Sequence, residues 1–381
     1  MTETPLGTVV EIDDRTVLVT GQELDVAREQ PDVGHALVHR AGDTLVLVDT
    51  GVTEAFRAAL KGAVDRVGPW SRLLLLTTHG HTDHVGNNDL VDELAAERGV
   101  PAEHWVPARD LEQMAHPVAY WEHAFAGIAG VAPLPAPPSL SAKKIVSLFQ
   151  PLHPFGATTR TYEERPLERL LLGPARMTGW SFADGAVRVL RSQGHTAGHV
   201  VVHLADTGLV HLGDEANGGC GAMPDADQLK LHTVLGAVAT AAADGAVTTV
   251  TQAHDATVRR GADAVAHLDE LLAQGVALQE AALDITAGHE PVAPERFVDD
   301  ITRRLAEIGG GGPNPNPVFT GMMSVNLLAE IGLRPDRGQD DRPWSRPAQE
   351  DPAPVAGMPH GVALLPAAAA MVGWKLRGRD R

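Results

Sequence analysis

Short apolar runs alternate with amphipathic stretches along the first hundred residues of the chain. Two pairs of apolar segments, each joined by a short polar turn, predict β-hairpins over 8–20 and 35–50. Residues 53–67 have the spacing of an amphipathic helix, and the uninterrupted apolar run 72–78 is typical of a buried strand. A further helix is expected over 86–98, after several candidate capping residues. This order of strands and helices predicts an α/β protein built in layers.

The pattern is weaker over 112–180, where a helix is expected at 118–130 and proline-rich segments follow it. We interpret this stretch as an insertion that forms a lid or a substrate wall. Regular strands are expected to resume at 187–192, 199–205, 209–214 and 247–253. Further helices are expected at 224–243, 258–284, 294–308 and 322–332.

The chain is therefore expected to divide into three parts. A catalytic domain covers 1–290, with the insertion at about 112–180, and a helical extension covers 291–334. Residues 335–381 are rich in Pro, Asp, Gln and Arg at first, and they are expected to form a linker and tail. Within that tail, the apolar stretch 361–374 is expected to be a packed helix or a contact in a homodimer.

Composition limits the classes of partner. The chain has 44% hydrophobic and 21% charged residues, which is ordinary for a globular protein. Its formal net charge of -18 argues against a nucleic-acid backbone or an anionic membrane as partner, so a small-molecule substrate is expected. A single cysteine excludes an internal disulfide. We see no signal-peptide pattern and no apolar stretch of about 18 residues, so a cytoplasmic location is expected.

The strongest chemical signal lies directly after the predicted strand 72–78. His79, His81, Asp83 and His84 occur within six residues there, and alternate side chains on an extended backbone point the same way. Imidazole nitrogens and carboxylate oxygens are the ligands that zinc accepts. The segment therefore predicts a metal site, with His79 and His81 directed at one ion and Asp83 and His84 at another.

Three more candidate ligands lie at the ends of later predicted strands: His195, Asp214 and His254. Alone, each of them would be an ordinary polar residue at a strand end. Together with the first segment they complete a set of five histidines and two aspartates. A carboxylate between two such groups can bridge two metal ions.

The order of these motifs resembles the metallo-β-lactamase superfamily over about residues 8–290, including an Asp-Thr-Gly turn at 49–51. The resemblance implies a four-layer αβ/βα sandwich, here with a helical insertion and C-terminal helices. It also implies two Zn²⁺ ions per chain, with Fe or Mn as alternatives. The implied ligands are His79, His81 and His195 for the first ion, Asp83, His84 and His254 for the second, and Asp214 between them.

Other positions are assigned by the same resemblance. Asp49 would orient a ligand histidine, and His199 would be structural. An aspartate at 214, where some β-lactamases have cysteine, resembles the dinuclear hydrolases such as glyoxalase II and the lactonases. Cys220 lies six residues beyond Asp214 and is expected to be a small buried residue rather than a ligand. Ala222 stands where glyoxalase II has a basic residue that helps to bind glutathione.

The predicted activity is metal-dependent hydrolysis of an ester, thioester or lactone by a hydroxide that bridges two metals. Asp83 and Asp214 are the candidate catalytic residues, with Asp83 relaying a proton to the leaving group. A mononuclear iron dioxygenase of the persulfide dioxygenase type would instead use His79, His195 and Asp214. β-Lactamase, sulfatase and phosphodiesterase activities also remain open on this fold.

Substrate contacts are expected from the insertion. Tyr120, Trp121 and His123 lie on the predicted helix 118–130, where they form a candidate pocket wall. The alternative interpretation, which the spacing favours, is an amphipathic helix that packs on the core.

Overall fold

The computed structural model describes residues 4–129, 131, 134, 136–216, 221–308, 317–336 and 343–346. Cys220 and the apolar stretch 361–374 lie outside these residues, so the expectations for them stay predictions.

The first sheet of the described chain contains seven strands in sequence order. They are Val9–Asp13 (β1), Thr16–Val19 (β2), Ala36–Ala41 (β3), Thr44–Val48 (β4), Arg72–Leu76 (β5), Ala102–Val106 (β6) and Thr159–Thr161 (β7). The pairs from β1 to β4 are antiparallel, as expected of hairpins, and those from β4 to β7 are parallel. Parallel neighbours need crossover connections, and helices supply them here.

The second sheet also contains seven described strands, in the spatial order β14-β13-β12-β11-β10-β9-β8. They are Glu168–Leu172 (β8), Ala175–Phe182 (β9), Val187–Arg191 (β10), Val200–Leu204 (β11), Leu209–His211 (β12), Thr249–Thr251 (β13) and Arg259–Arg260 (β14). The pairing of β12 with β13 is parallel, and the other pairs are antiparallel. A two-stranded ribbon, Arg334–Pro335 (β15) with Trp344–Ser345 (β16), follows later.

Helices connect and cover these strands. The α-helices are Glu54–Ala63 (α1), Thr82–Val85 (α2), Leu90–Arg98 (α3), Leu111–Ala115 (α4), Pro117–Ile128 (α5), Pro138–Ser147 (α6), Gln228–Ala243 (α7), Ala262–Thr286 (α8), Pro294–Ile308 (α9) and Pro317–Glu330 (α10). Short 3₁₀ helices occupy Val26–Arg28, Ala108–Asp110, Tyr162–Glu164 and Ala183–Gly185. Among the described residues, no helix is both long and apolar enough to cross a membrane.

Three apolar layers show how the sheets and helices stack. Leu76 of the first sheet and Val202 of the second share one buried cluster, so the two sheets pack face to face. Leu60 of α1 packs against the outer face of the first sheet. Val234 of α7 and Leu268 of α8 pack against the outer face of the second. The layer order is therefore helix, sheet, sheet, helix, which confirms the predicted four-layer α/β sandwich.

The stretch 112–180 is more regular than its sequence indicates. Helices α4 to α6 fill its first part, but β7 then extends the first sheet and the hairpin β8–β9 forms an edge of the second. Prolines at 151, 154 and 166 favoured a loop interpretation, yet they precede the strands β8 and β9 rather than interrupting them. Strand β6 was also absent from the sequence prediction.

The C-terminal helices form a separate apolar cluster. Leu278 near the end of α8, Phe297 and Ile301 of α9, and Leu327 of α10 are all buried within it. Helix α9 has a strongly one-sided apolar pattern, which explains why its bounds agree with the sequence prediction.

Candidate metal centre

Loops that follow four strands bring the candidate ligands together. His79 and His81 lie in the segment after β5, and Asp83 and His84 lie on the short helix α2 directly beyond it. His195 lies between β10 and β11, Asp214 follows β12, and His254 follows β13. The structure therefore gathers all seven predicted ligands at one edge of the two sheets, in two clusters. These are His79, His81, His195 and Asp214, and then Asp83, His84 and His254.

The first cluster is fully buried, and its ring nitrogens face one another. His81 Nδ1 lies 2.9 Å from His79 Nε2 and 3.2 Å from His195 Nε2. Asp214 Oδ2 lies 3.3 Å from His195 Nε2 and 3.7 Å from His79 Nε2. Three nitrogens and one carboxylate oxygen thus converge on a single point.

The second cluster shares the Asp214 side chain. Asp83 Oδ2 lies 3.2 Å from His84 Nε2 and 3.3 Å from His254 Nε2. Asp214 Oδ1 lies 3.3 Å from His84 Nε2 and 3.5 Å from His254 Nε2. The two oxygens of Asp214 therefore face different clusters, which is the arrangement that a bridging carboxylate requires.

Hydrogen bonds behind the rings fix which nitrogen faces inward. Thr78 Oγ1 donates to Asp49 Oδ2 at 2.6 Å, so its oxygen accepts from His79 Nδ1 at 3.0 Å. His84 Nδ1 donates to the same Asp49 oxygen at 2.9 Å. Both Nε2 atoms therefore carry lone pairs directed into the clusters. Asp49 lies where the resemblance expected it to, with contacts that orient His84 directly and His79 through Thr78.

The clusters fit a metal ion on their own chemistry. His84 Nε2 and Asp214 Oδ1 are buried, and neither has a hydrogen-bond partner among the described residues. With His84 Nδ1–H donating to Asp49, both atoms are acceptors, and two acceptors 3.3 Å apart need a cation between them. Nitrogen and carboxylate ligands suit zinc, iron and manganese.

The electrostatics of the rings agree with this fit. Burial holds the pKa of His79 and of His195 well below the usual value, so both rings are neutral, which is the form that binds metals. Burial also disfavours the charged forms of His84 and His254, but nearby carboxylates outweigh it and raise their pKa values. These are Asp83 and Asp214 for His84, and Asp214 and Asp32 for His254. Positive charge is thus favoured at the second cluster, whether it comes from a proton or from a metal ion.

Two carboxylates that the sequence analysis missed tie the ligand loops together. Asp110 Oδ2 accepts from Gly80 N at 2.9 Å and from Thr196 Oγ1 at 2.8 Å, so it joins the loop of His79 and His81 to that of His195. Burial raises the pKa of Asp110 to about 6. Asp32 lies 3.5 Å from His254 Nδ1, behind the ring. Both are acidic residues in loops next to strands, which is a weak signal in a sequence with 49 acidic residues.

Asp214 is held by its own supporting contacts. His199 Nε2 accepts from the backbone N–H of Asp214 at 3.1 Å, and Glu215 Oε1 lies 3.2 Å from His199 Nδ1. Gly213 has φ of +56°, and a Cβ atom there would lie 2.8 Å from His199 Nε2, so only glycine fits. His199 lies outside both clusters and supports Asp214, which agrees with the structural position that the resemblance gave it.

The three candidate substrate residues lie in different surroundings. The Tyr120 hydroxyl lies 3.0 Å from His81 Nε2. Trp121 is buried in an apolar cluster with α6, with its ring centroid 6.1 Å from that of His81. His123 is exposed and, with Tyr120, lines a pocket of about 330 Å³. None of the seven candidate ligands is among the described residues that line this pocket.

Comparison with known proteins agrees with the fold. Residues 30–161 match the sequence model of the metallo-β-lactamase superfamily. Comparison with curated proteins finds no match.

Several solved structures share the architecture. A β-lactamase domain protein from Burkholderia ambifaria has a TM-score of 0.55 and 19% identity, covering 91% of this chain and 97% of that one. A metallo-β-lactamase family protein from Thermus thermophilus has a TM-score of 0.52 and 18% identity, covering 87% of this chain and 98% of that one. The inverting sec-alkylsulfatase Pisa1 from Pseudomonas sp. has a TM-score of 0.52 and 14% identity, covering 98% of this chain and 56% of that one. Residues 30–161 thus match the metallo-β-lactamase superfamily model, and the chain shares the fold of these solved structures.

Proposed function

We propose that this protein is a metal-dependent hydrolase that cleaves an ester, thioester or lactone of a small molecule. Two metal ions, zinc in the first instance, would be held by the two clusters. The observation that carries the proposal is the Asp214 carboxylate, which faces one cluster with each of its oxygens. A site for a single ion would not need a second cluster around Asp83, His84 and His254.

Two bound divalent ions supply a Lewis acid and lower the pKa of a shared water from about 15.7 towards 7. The chain supplies the rest. Asp214 contacts both clusters and so fixes the position of one relative to the other. Asp49 keeps the Nε2 atoms of His79 and His84 directed inward. Burial of the first cluster excludes bulk water from these groups, which strengthens their electrostatic effect.

Asp83 is the candidate for proton transfer to the leaving group. Its side chain is 12% exposed, against 4% for Asp214, so it lies on the more open side of the site. Burial opposes ionisation of Asp83, but the rings of His84 and His254 outweigh it and hold its pKa below the usual range. Asp83 is therefore ionised near neutral pH, and as a carboxylate on the open side of the site it would accept a proton and return it to the leaving oxygen or sulfur.

The second cluster also favours the hydrolase over a mononuclear iron dioxygenase. A dioxygenase site would need only His79, His195 and Asp214, which leaves the converging side chains of Asp83, His84 and His254 without a metal to bind. The ligand set suits carbonyl, sulfur and phosphorus centres alike, so the substrate panel includes bonds to all three. A sulfate ester belongs in the substrate panel, since a sec-alkylsulfatase shares the fold.

The test is hydrolysis of a substrate panel by zinc-loaded protein. The panel contains an aryl ester, an acyl thioester, a lactone, a β-lactam, a secondary alkyl sulfate and a phosphodiester. We expect turnover of at least one of the first three, a large loss in Asp83→Asn, and wild-type turnover in the surface control His289→Ala. Metal-loaded protein that hydrolyses no member of the panel, or that consumes oxygen with one iron bound, would contradict the proposal.

A further inference from the structure

A hydrogen-bonded pair outside the candidate ligands reaches the first cluster. Tyr120 of α5 places its hydroxyl 3.0 Å from His81 Nε2 and 3.1 Å from Asp225 Oδ1. The hydroxyl donates to the Asp225 carboxylate, and its oxygen is then free to accept from His81 Nε2–H. With its proton on Nε2, His81 directs the lone pair of Nδ1 towards His79 and His195.

Asp225 is itself fixed to the loop that carries another ligand. Its second oxygen, Oδ2, accepts from the backbone N–H of Ala197 at 2.7 Å. Ala197 lies two residues after His195 on the same loop. One chain of hydrogen bonds therefore runs from His81 through Tyr120 and Asp225 to the loop of His195.

The surroundings keep the phenol in place and protonated. The ring of Tyr120 lies edge-on to Trp121 with 5.8 Å between centroids, and Trp121 is buried in the apolar cluster of α5 and α6. Burial, and then the charge of Asp225, raise the pKa of Tyr120 well above its usual value. The hydroxyl therefore keeps the proton that it donates to Asp225 at any pH near neutrality.

We propose that Tyr120 and Asp225 are positioning residues that set the tautomer and orientation of His81, and thereby the metal affinity of the first cluster. The proposal rests on the proposed function for the presence of the metal itself. It gives the helix α5 a direct role at the site, and it assigns the Tyr120 hydroxyl to a ligand histidine rather than to substrate. A hydrogen bond of this kind to a metal-binding histidine is typically worth 10- to 100-fold in metal affinity.

The chain contains a matched control, because it has two tyrosines. Tyr162 is fully buried, and its hydroxyl donates to the backbone oxygen of Thr77 at 3.0 Å. Tyr120→Phe and Tyr162→Phe therefore delete the same atom from a half-buried and a buried phenol, each of which is hydrogen-bonded. Only the first deletion removes a contact with a candidate ligand.

The experiment measures Zn²⁺ affinity of the full chain by competition with a chromophoric chelator, and the visible spectrum of the Co²⁺-loaded protein. We expect Tyr120→Phe to weaken binding of one ion by roughly 10- to 100-fold and to shift the Co²⁺ bands. Tyr162→Phe should change the affinity by less than about threefold. Asp225→Ala should also weaken binding, and the double variant should bind no more weakly than Asp225→Ala, because the Tyr120 contact and the Ala197 contact both depend on Asp225.

Equal affinities and spectra for Tyr120→Phe and Tyr162→Phe would overturn the inference while leaving the proposed function intact. Additive losses in the double variant would also overturn it, since the two residues would then act separately. Absence of bound metal in the wild-type protein would overturn the proposed function first. If Tyr120→Phe fails to fold by circular dichroism, the Asp225→Ala comparison with Tyr162→Phe decides the question in the same way.

Discussion

Buried histidines lie in two regions of this molecule, and their neighbours differ. In the sheets, three of them stand directly opposite a threonine of the adjacent strand. The pairs are His39 with Thr16 at 2.9 Å, His104 with Thr159 at 2.7 Å and His211 with Thr251 at 3.0 Å. At the edge of the sheets, five histidines instead face one another and two carboxylates.

Burial does not distinguish the two regions, but the direction of the hydrogen bonds does. Burial lowers the pKa of His104 to about 3 and that of His211 to about 4, so these rings are neutral just as His79 is. At His39, His104 and His211, a hydroxyl on the neighbouring strand bonds one ring nitrogen. At the edge, the outer nitrogens of His79 and His84 bond Thr78 and Asp49, and the inner nitrogens meet with no donor between them. The arrangement at the edge of the sheets is therefore the one that leaves lone pairs for a metal ion.

We expect the largest effect from Asp214→Ala, because Asp214 contacts histidines of both clusters. We expect both metal ions to be lost and activity to fall by about 1,000-fold or more, equivalent to about 4 kcal/mol in the transition state. Elemental analysis and turnover on the best panel substrate would check it. Asp206→Ala, which alters a carboxylate near His39 instead, should retain both ions. Two ions in Asp214→Ala would contradict the bridging role.

A second change tests the contacts behind the rings. Asp49→Ala removes the acceptor for His84 Nδ1 and for the N–H and hydroxyl of Thr78. We expect the unfolding free energy to fall by about 3–5 kcal/mol, because buried partners are left unpaired. Metal affinity should fall by roughly 10- to 100-fold. Urea unfolding and chelator competition would measure the two effects, and an unchanged affinity would show that Asp49 is only a turn residue.

Removal of metal should affect one region and spare the other. A ligand present at about 1,000 times its dissociation constant stabilises the native state by about 4 kcal/mol. We therefore expect a chelator to lower the Tm of the wild-type protein by several degrees. His104→Gln should show the same decrease, since His104 lies in the sheet, while Asp214→Ala should show almost none. A chelator-insensitive wild-type Tm would contradict the metal assignment of the edge region.

The last expected effect concerns the sheet region itself and arises only in acid. His104 has a folded-state pKa of about 3 against about 6.5 when unfolded, so the unfolded state binds more protons between these values. Its contribution to stability is present above pH 6.5 and is lost as pH falls towards 3, by at most about 5 kcal/mol. His104→Gln should therefore be less acid-sensitive than the wild type in urea titrations over this range. An identical pH dependence would show that His104 is not a buried neutral ring.

The part of the site that the sequence predicts is the part that is local. His79 to His84 lie within six residues after an apolar strand, so their proximity follows from the chain itself. His195, Asp214 and His254 needed the resemblance, because strand ends distant in sequence meet only once the two sheets pack. The four-layer architecture also needed the resemblance, because the alternation of strands and helices by itself indicates only an α/β protein built in layers.

What the sequence missed depends on contacts between distant segments. Asp110 meets Thr196 across 86 positions, and Tyr120 meets Asp225 across 105. No periodicity encodes such pairs, and each residue alone resembles an ordinary loop acid or helix aromatic. The hairpin β8–β9 was missed because prolines near it favoured a loop, although none of them interrupts the two strands.

The most direct test of the account is the metal content per chain of the wild-type protein, His79→Ala and His104→Gln, measured by elemental mass spectrometry after purification and reconstitution. These variants remove one buried histidine from each region. We expect about two ions in the wild type and in His104→Gln, and a clear loss in His79→Ala. No metal in any of the three proteins, or equal loss in both variants, would contradict it.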